Sequence, residues 1–527
     1  MIEENKISRR SFLSLLGASA MTMTLAGCRT HGALAHTPFR DEDFRRLPAL
    51  GLATSLTEEF DYSPRVEGTL PAGLRGTLYR NGPGLFEREG LRKRCLLDGD
   101  GMVQAFRIGE GQVRYRNRFV RTRKYNEESA AGKFLYSTWS TQAPGGVLAN
   151  LGGGTFQNQA GITVVVRDGR LYAFDEFNPP YELDPLTLDT RGENWLGLAR
   201  GATVFSAHSK LDPRTGDWIF FGLEFERAIK LHLTVLGADG ALKMHRVTEL
   251  PRFAYIHDFF ITERHILLNL HPLEMKVWGF LLGRRSMIDS MRWRPEWGNL
   301  ILVFDRAGDA EPVQLRTEAS WMWHSLNAYE LGDEIVADFV GYRDPDHFLG
   351  EDPALFAIME GRQGSYENPG ELRRYILSPR TGKVRQELLA SGDFEFPFVN
   401  PRLLGSPHDY GYLACRPQGE PFFTAVSRVD SRTGKIDSFD FGPGVYCSEP
   451  VFAPKPPSAG AGSDREEAGW ILTQIYDGQA RKSALAILDA QALGDGPVAR
   501  VLLGHHVPLG FHGFWQQATP AQGGMPS

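Results

Sequence analysis

Cysteine is scarce in this sequence. Among 527 residues there are four, Cys28, Cys95, Cys415 and Cys447, and no two stand in a CxxC spacing. A disulfide framework and a thiolate metal site are therefore not expected. A basic excess is also missing: 58 Lys and Arg face 64 Asp and Glu, for a formal charge of -6. That leaves no electrostatic footprint for nucleic acid as a partner. No HExxH or HxxxH motif places two histidines on one helix face. Beyond residue 28 no apolar run is long enough to span a bilayer. Amphipathic helix signals are few; "NEESAAGKFLYSTW" is the best and "PALFAIMEGR" a weaker second.

Turn formers and aromatics are abundant, with 58 Gly, 32 Pro and 33 Phe. From about residue 40 the pattern is strand, turn, strand. Runs such as "GTLYRNG", "QVRYRNRFV", "GITVVVRDGRLYAF", "DWIFFGLEF", "NLILVFD" and "GWILTQIYD" are short, β-branched or aromatic, and often alternate in polarity. One hairpin recurs, as in "ELDPLTLDT", "KLDPRTGDW", "ILSPRTGKV" and "RVDSRTGKI". Asp or Ser before Pro or Thr-Gly closes a tight turn with its own side chain, and Gly takes the positive φ. A hairpin repeated along a whole chain at irregular spacing predicts an all-β radial architecture, a β-propeller with unequal blades. A double sandwich is the alternative, but about 480 residues of one texture without a linker argue against it. The stretch "PKPPSAGAGSDREEAG", 454–469, is read as an exposed loop between two strands.

The first 28 residues stand apart. Arg9 and Arg10 precede an apolar stretch from Phe12 to Ala26, closing on "LAGC". This is the pattern of a twin-arginine export signal with a lipobox, in which Cys28 becomes a lipidated N-terminus. An incidental cysteine at a small-residue cleavage site is the other reading of Cys28. The division expected is a signal at 1–28, a tether at 29–45, one propeller domain at 46–518 and a tail at 519–527. The location expected is periplasmic, lipid-anchored at Cys28.

Four of the fourteen histidines have distinctive settings: His208 in "TVFSAHSKLDP", His257 in "AYIHDFFIT", His324 in "WMWHSLNAYE" and His512 in "PLGFHGFW". Each stands at the start or end of an apolar, aromatic, strand-like run. Spacing alone favours four separately satisfied core histidines. In a propeller, however, the inner strands converge on one axis, and four imidazoles on four such strands can hold one metal. A C-terminal strand carrying His512 would return to close the ring.

These settings, with "GTLYRNGPG", "LDGDGMV", "RNRFVRT", "YELDPLTLDT", "FEFPFVNPR" and "SEPVFAP", resemble the carotenoid cleavage oxygenase family over about residues 68 to 515. The resemblance implies a seven-bladed β-propeller with a helical and loop cap over a substrate tunnel. It implies Fe(2+) as cofactor, with His208, His257, His324 and His512 as ligands. It further implies that Glu176, Glu395 and Glu449 orient His257, His324 and His512 respectively, leaving His208 without a carboxylate. The activity implied is dioxygenase cleavage of one C=C bond of an apolar polyene into two carbonyl products, with dioxygen as co-substrate. No catalytic residue beyond the metal ligands is required. Four ligands on an octahedral ion leave two positions open.

Two departures from the family pattern stand out: Asp175 immediately before Glu176, where Trp or Thr is common, and "NQAGITVVV". Strand alternation is expected to turn the Asp175 side chain away from the face of Glu176. "STQAPGGVLAN" resembles the carotenoid- and apocarotenoid-cleaving branch. The stilbene-cleaving branch is the alternative, and a non-catalytic propeller that binds an apolar ligand is a third reading. Finally, "LHPLEMKVWGFLLGRRSM", 270–287, sets Trp278, Phe280, Leu281 and Leu282 beside Arg284 and Arg285. That pairing suits contact with a membrane surface; a buried loop over the tunnel is the other reading.

Overall fold

A computed structural model describes residues 31–226, 228–456 and 465–518. The expected signal, Cys28, the tail and the middle of the 454–469 loop lie outside the described residues.

Seven antiparallel sheets form the body. Blade 1 runs outward from His512–Gln517 through Gly76–Leu85, Asp100–Gly109 and Gln112–Phe119 to Asp61–Tyr62. The inner strands of the next five blades are Thr163–Arg167, Ser209–Leu211, Phe260–Ile261, Ser325–Leu331 and Phe394–Phe398. Blade 7 has Val445–Cys447 and Val451–Pro454 inside and Arg65–Gly68 as its outermost strand. The ring is therefore closed twice. The N-terminal strand Arg65–Gly68 pairs with Pro497–Leu502 of the last blade. The C-terminal strand pairs with the first blade, placing His512 opposite Asn81.

Polarity along the strands explains the layering. Middle strands such as Trp218–Phe225 are buried almost throughout, because a neighbouring blade covers each face. Outer strands such as Leu242–Glu249 alternate between exposed and half-buried. The recurrent turns close as their sequences predict: Asp184 Oδ1 accepts from Leu186 N and Thr187 N, and Asp430 Oδ1 from Arg432 N and Thr433 N. Gly216, Gly382 and Gly434 take the positive φ in theirs.

Two expectations need correction. The helix expected in "NEESAAGKFLYSTW" spans Arg123–Ala131 instead. The Thr122 hydroxyl caps it by accepting from Tyr125 N, and Gly132 ends it with φ +68°. The stretch expected as a tether, 29–45, is docked from His31, the first described residue, where His31 N donates to Gln142 Oε1 and Gln142 N donates to the His31 carbonyl. Leu34–Ala35 pairs with Leu91–Arg92, and the Arg92 guanidinium lies 4.8 Å over the Phe39 ring. "PALFAIMEGR" does form a short helix, Ala354–Ala357, continued as a 3-10 turn to Glu360. The three described cysteines, Cys95, Cys415 and Cys447, are free.

Candidate metal centre

Each blade sends one functional side chain to the axis. Blades 1, 3, 4 and 5 present His512, His208, His257 and His324, each at or just before the start of an inner strand. Blades 2, 6 and 7 present Glu176, Glu395 and Glu449. The four imidazoles are buried, and one ring nitrogen of each lies within 4.8 Å of the other three. His208 Nε2 is 3.1 Å from His257 Nε2, and His324 Nε2 is 3.1 Å from His512 Nε2.

The outer ring nitrogens are engaged. His257 Nδ1 is 3.0 Å from Glu176 Oε2, His324 Nδ1 2.6 Å from Glu395 Oε2, and His512 Nδ1 2.8 Å from Glu449 Oε1. Each such bond fixes a tautomer with its proton on Nδ1 and its lone pair on Nε2. The Nε2 atoms of His324 and His512 then face each other as two bare lone pairs at 3.1 Å. That contact is repulsive unless a cation sits among them. The donor set therefore fits one metal ion. The pairing also matches the blade order. Glu395 and Glu449 serve histidines on adjacent blades, whereas Glu176 reaches past blade 3 to His257.

Burial and neighbouring imidazoles hold His208 and His512 well below the usual histidine range, so both remain neutral donors. Burial acts against a charged His257, yet the Glu176 carboxylate raises it. Burial pushes the Glu449 carboxyl up to about 7, although Arg80 pulls it back. Arg80 is wholly buried, 3.2 Å from Glu449 Oε2, and also donates to Ser448 Oγ. Burial acts on Glu395 too, but His324 and the Phe396 amide hold its carboxyl below the usual range. Three ionised carboxylates and Arg80 would leave a net charge of about -2, which a divalent cation at the imidazoles would offset.

His208 has no carboxylate at hydrogen-bond distance; its Nδ1 is 3.8 Å from Asp258 Oδ1. Asp175 points away from the imidazoles: its carboxylate accepts from Gln159 N, Glu176 N and Asn178 Nδ2. It orders the loop that carries Glu176 rather than the metal.

Two cavities meet at the four histidines. One is walled by aromatic rings including Trp139, Tyr255, Trp323, Phe396, Phe422 and Phe511. The other follows the inner strands and includes Lys210, Asp258 and Ser325. The sequence reading assigned no role to Tyr255, Trp323 or Phe396. Phe396 holds φ +52°, a conformation that costs a side-chain-bearing residue about 1–3 kcal/mol. Its ring lies nearly parallel to His324, 5.4 Å between centroids. Its position directly after Glu395 is the only signal the sequence offered.

A propeller whose axis gathers four imidazoles beneath an aromatic cavity defines a metal-dependent oxygenase scaffold. Residues 53–517 match the family described as retinal pigment epithelial membrane protein, and the chain belongs to this carotenoid cleavage oxygenase family; it is an oxygenase. It is 33% identical over 478 residues to the apocarotenoid-15,15'-oxygenase of Synechocystis sp., covering 88% of this chain and 95% of that one. It is 29% identical to lignostilbene-alpha,beta-dioxygenase isozyme III of Sphingomonas paucimobilis, over 86% of this chain and 93% of that one. The crystal structure of cobalt-substituted Synechocystis ACO superposes with a TM-score of 0.81 at 30% identity, covering 89% of this chain and 98% of that one.

Proposed function

We propose that the chain is a ferrous-iron dioxygenase that cleaves one C=C bond of an apocarotenoid into two carbonyl products. The observation that carries this reading is the convergence of four imidazole lone pairs on the floor of an apolar, aromatic cavity. Similarity to the Synechocystis apocarotenoid oxygenase supports the polyene as substrate.

His208, His257, His324 and His512 would hold the iron, which supplies the binding and activation of dioxygen. Glu176, Glu395 and Glu449 hold the Nδ1 protons of three ligands and so keep their Nε2 lone pairs on the axis. Trp323, Phe396 and the other rings give a flat polyene apolar faces to lie against and exclude water. Adding both atoms of dioxygen across a C=C bond moves no proton, so the reaction requires no general base. Burial and nearby Glu176 push the Tyr255 hydroxyl well above its usual range, and it stays protonated beside His257.

The test is anaerobic reconstitution with ferrous iron, followed by dioxygen uptake with apocarotenals and, separately, hydroxystilbenes. Uptake with apocarotenals, at one dioxygen per two carbonyls formed, is expected. Uptake with hydroxystilbenes alone would move the substrate to the stilbene class. Uptake with neither would leave an apolar-ligand-binding propeller.

The cap surface supports membrane contact. The short helix Val277–Leu281 exposes Trp278 (70%), and Leu282 follows it into solvent. Phe280 turns inward toward Gly153 and Phe156 instead. Leu148, 79% exposed, belongs to the same surface, since the Val147 and Asn150 carbonyls abut Gly283. With Arg284 and Arg285 exposed beside it, this apolar patch suits insertion below anionic headgroups. Trp278→Ser is expected to lower sedimentation with phosphatidylglycerol vesicles while leaving turnover of a detergent-solubilised substrate unchanged. Export through the twin-arginine route, with lipid on Cys28, belongs to the same proposal. It would deliver a folded, iron-loaded protein past competing zinc and copper. Replacing Arg9 and Arg10 with Lys is expected to retain active protein in the cytoplasm.

A further inference from the structure

Three ligand strands share a feature that the carboxylate–imidazole pairs do not explain. Each carries a polar or charged residue just beyond its histidine: Lys210 after His208, Asp258 after His257, Ser325 after His324. All three meet. Lys210 Nζ lies 2.8 Å from Asp258 Oδ1 and 3.1 Å from Oδ2. Asp258 Oδ2 accepts from Ser325 N at 2.8 Å and from Ser325 Oγ at 2.6 Å. Lys210 Nζ also donates to Ser325 Oγ at 3.0 Å, and Phe259 N donates to Asp258 Oδ1 at 2.8 Å. Asp258 and Ser325 are buried, and the Lys210 side chain is nearly so.

We propose that Asp258 is a positioning residue for the metal: a single carboxylate that clasps the strands of blades 3, 4 and 5 and thereby sets the separation of His208, His257 and His324. Backbone pairing cannot do this, because ladder hydrogen bonds run within a blade and these three strands belong to different sheets. Apolar packing between blades tolerates sliding; a charge-assisted bond set with fixed directions does not. The clasp also accounts for the ligand without a glutamate. The ring of His208 has no carboxylate within hydrogen-bond distance of Nδ1, so its position depends on its strand. That strand, Ser209–Leu211, is only three residues long and is tied to blade 4 through Lys210. His512 needs no such tie, since its strand forms a six-residue ladder with Gly76–Asn81.

Asp258→Asn keeps the shape and one acceptor but turns an amide NH₂ toward Lys210 or Ser325. Lys210→Met keeps the aliphatic stem and removes only the cross-blade ammonium. Two quantities are read on anaerobic protein loaded with ferrous iron alone: the rate of iron loss to excess chelator, and the thermal midpoint with and without iron. Neither involves substrate. Asp258→Asn is expected to speed iron loss on the order of 10- to 100-fold and to shrink the midpoint increment that iron confers. Lys210→Met is expected to do the same a few-fold, and it carries the test if Asp258→Asn does not fold. If both variants retain iron like the parent, while the iron-free and iron-loaded midpoints fall together, Asp258 is a blade stabiliser and the proposal is overturned. A parent protein that holds no iron would sink the four-histidine site, and the clasp with it. A parent that holds iron but turns over no polyene would leave the clasp standing and remove only the substrate reading.

Discussion

Two carboxylate–imidazole pairs in this protein have nearly the same length and opposite character. At the axis, His512 Nδ1 is 2.8 Å from Glu449 Oε1, both buried. On the flank between blades 4 and 5, His265 Nδ1 is 3.0 Å from Glu330 Oε1, and both are partly exposed. Burial pushes Glu449 up to about 7, whereas His265, the Thr262 hydroxyl and the Arg264 amide overcome burial and hold Glu330 at about 2. The flank pair is complete as it stands and joins two blades. The axial pair is electrostatically costly by itself, and its second ring nitrogen faces another lone pair at 3.1 Å. The pair is the same chemical unit in both places; what its free nitrogen faces separates a metal ligand from a clasp.

The comparison breaks most visibly at the ligands. His324→Ala is expected to abolish iron retention and turnover while the far-ultraviolet dichroism stays that of the parent, because the blade hairpins do not depend on the imidazole. Stoichiometric iron with full turnover in that variant would refute the axial site. The outer carboxylates come next. Glu395→Gln is expected to weaken iron binding or activity on the order of 10- to 100-fold with little loss of stability. Glu449→Gln is expected to weaken iron binding to a similar degree, while iron-free stability near pH 7 stays close to that of the parent, because burial raises the Glu449 carboxyl to about 7 and the amide replaces its neutral form. Denaturant titration of the iron-free variant checks this; a loss of about 3 kcal/mol would show that the buried Arg80 needs the ionised carboxylate.

Local chemistry made the fold legible. Period-2 runs and Asp-led turns mark the strands, and their recurrence suggested radial order. The four histidines stood out by their aromatic settings and by family resemblance, not by spacing. Nothing in the one-dimensional pattern pairs them with their glutamates, which lie 81, 71 and 63 residues away. Nothing in "IHDFFIT" marks Asp258 either, since its partners are 48 and 67 residues distant. The helix start is not legible in apolar periodicity because a cap such as Thr122 acts through one hydroxyl. The docked segment near Leu34 was missed because a two-residue pairing carries no pattern at all.

The smallest expected effect lies in the flank pair, and its sign is set by the direction of the shift. A carboxyl held at about 2 in the folded protein and near 4.5 unfolded stabilises the fold fully above pH 4.5. That contribution is lost as pH falls through about 2. Because the pair is only partly buried, solvent screening limits it to about 1 kcal/mol. Glu330→Gln is therefore expected to lower stability by about that amount at pH 7 and to converge on the parent as pH approaches 2. Glu449 has the opposite sign in the iron-free protein: a raised carboxyl favours the fold below its ordinary range and costs stability as pH rises through about 7. Denaturant titrations of parent and Glu330→Gln at several pH values read the flank term alone, since both proteins carry the same axis. A constant difference between them from pH 7 to pH 2 would show that Glu330 acts by shape rather than charge, and the contrast between the two pairs would rest on the axis only.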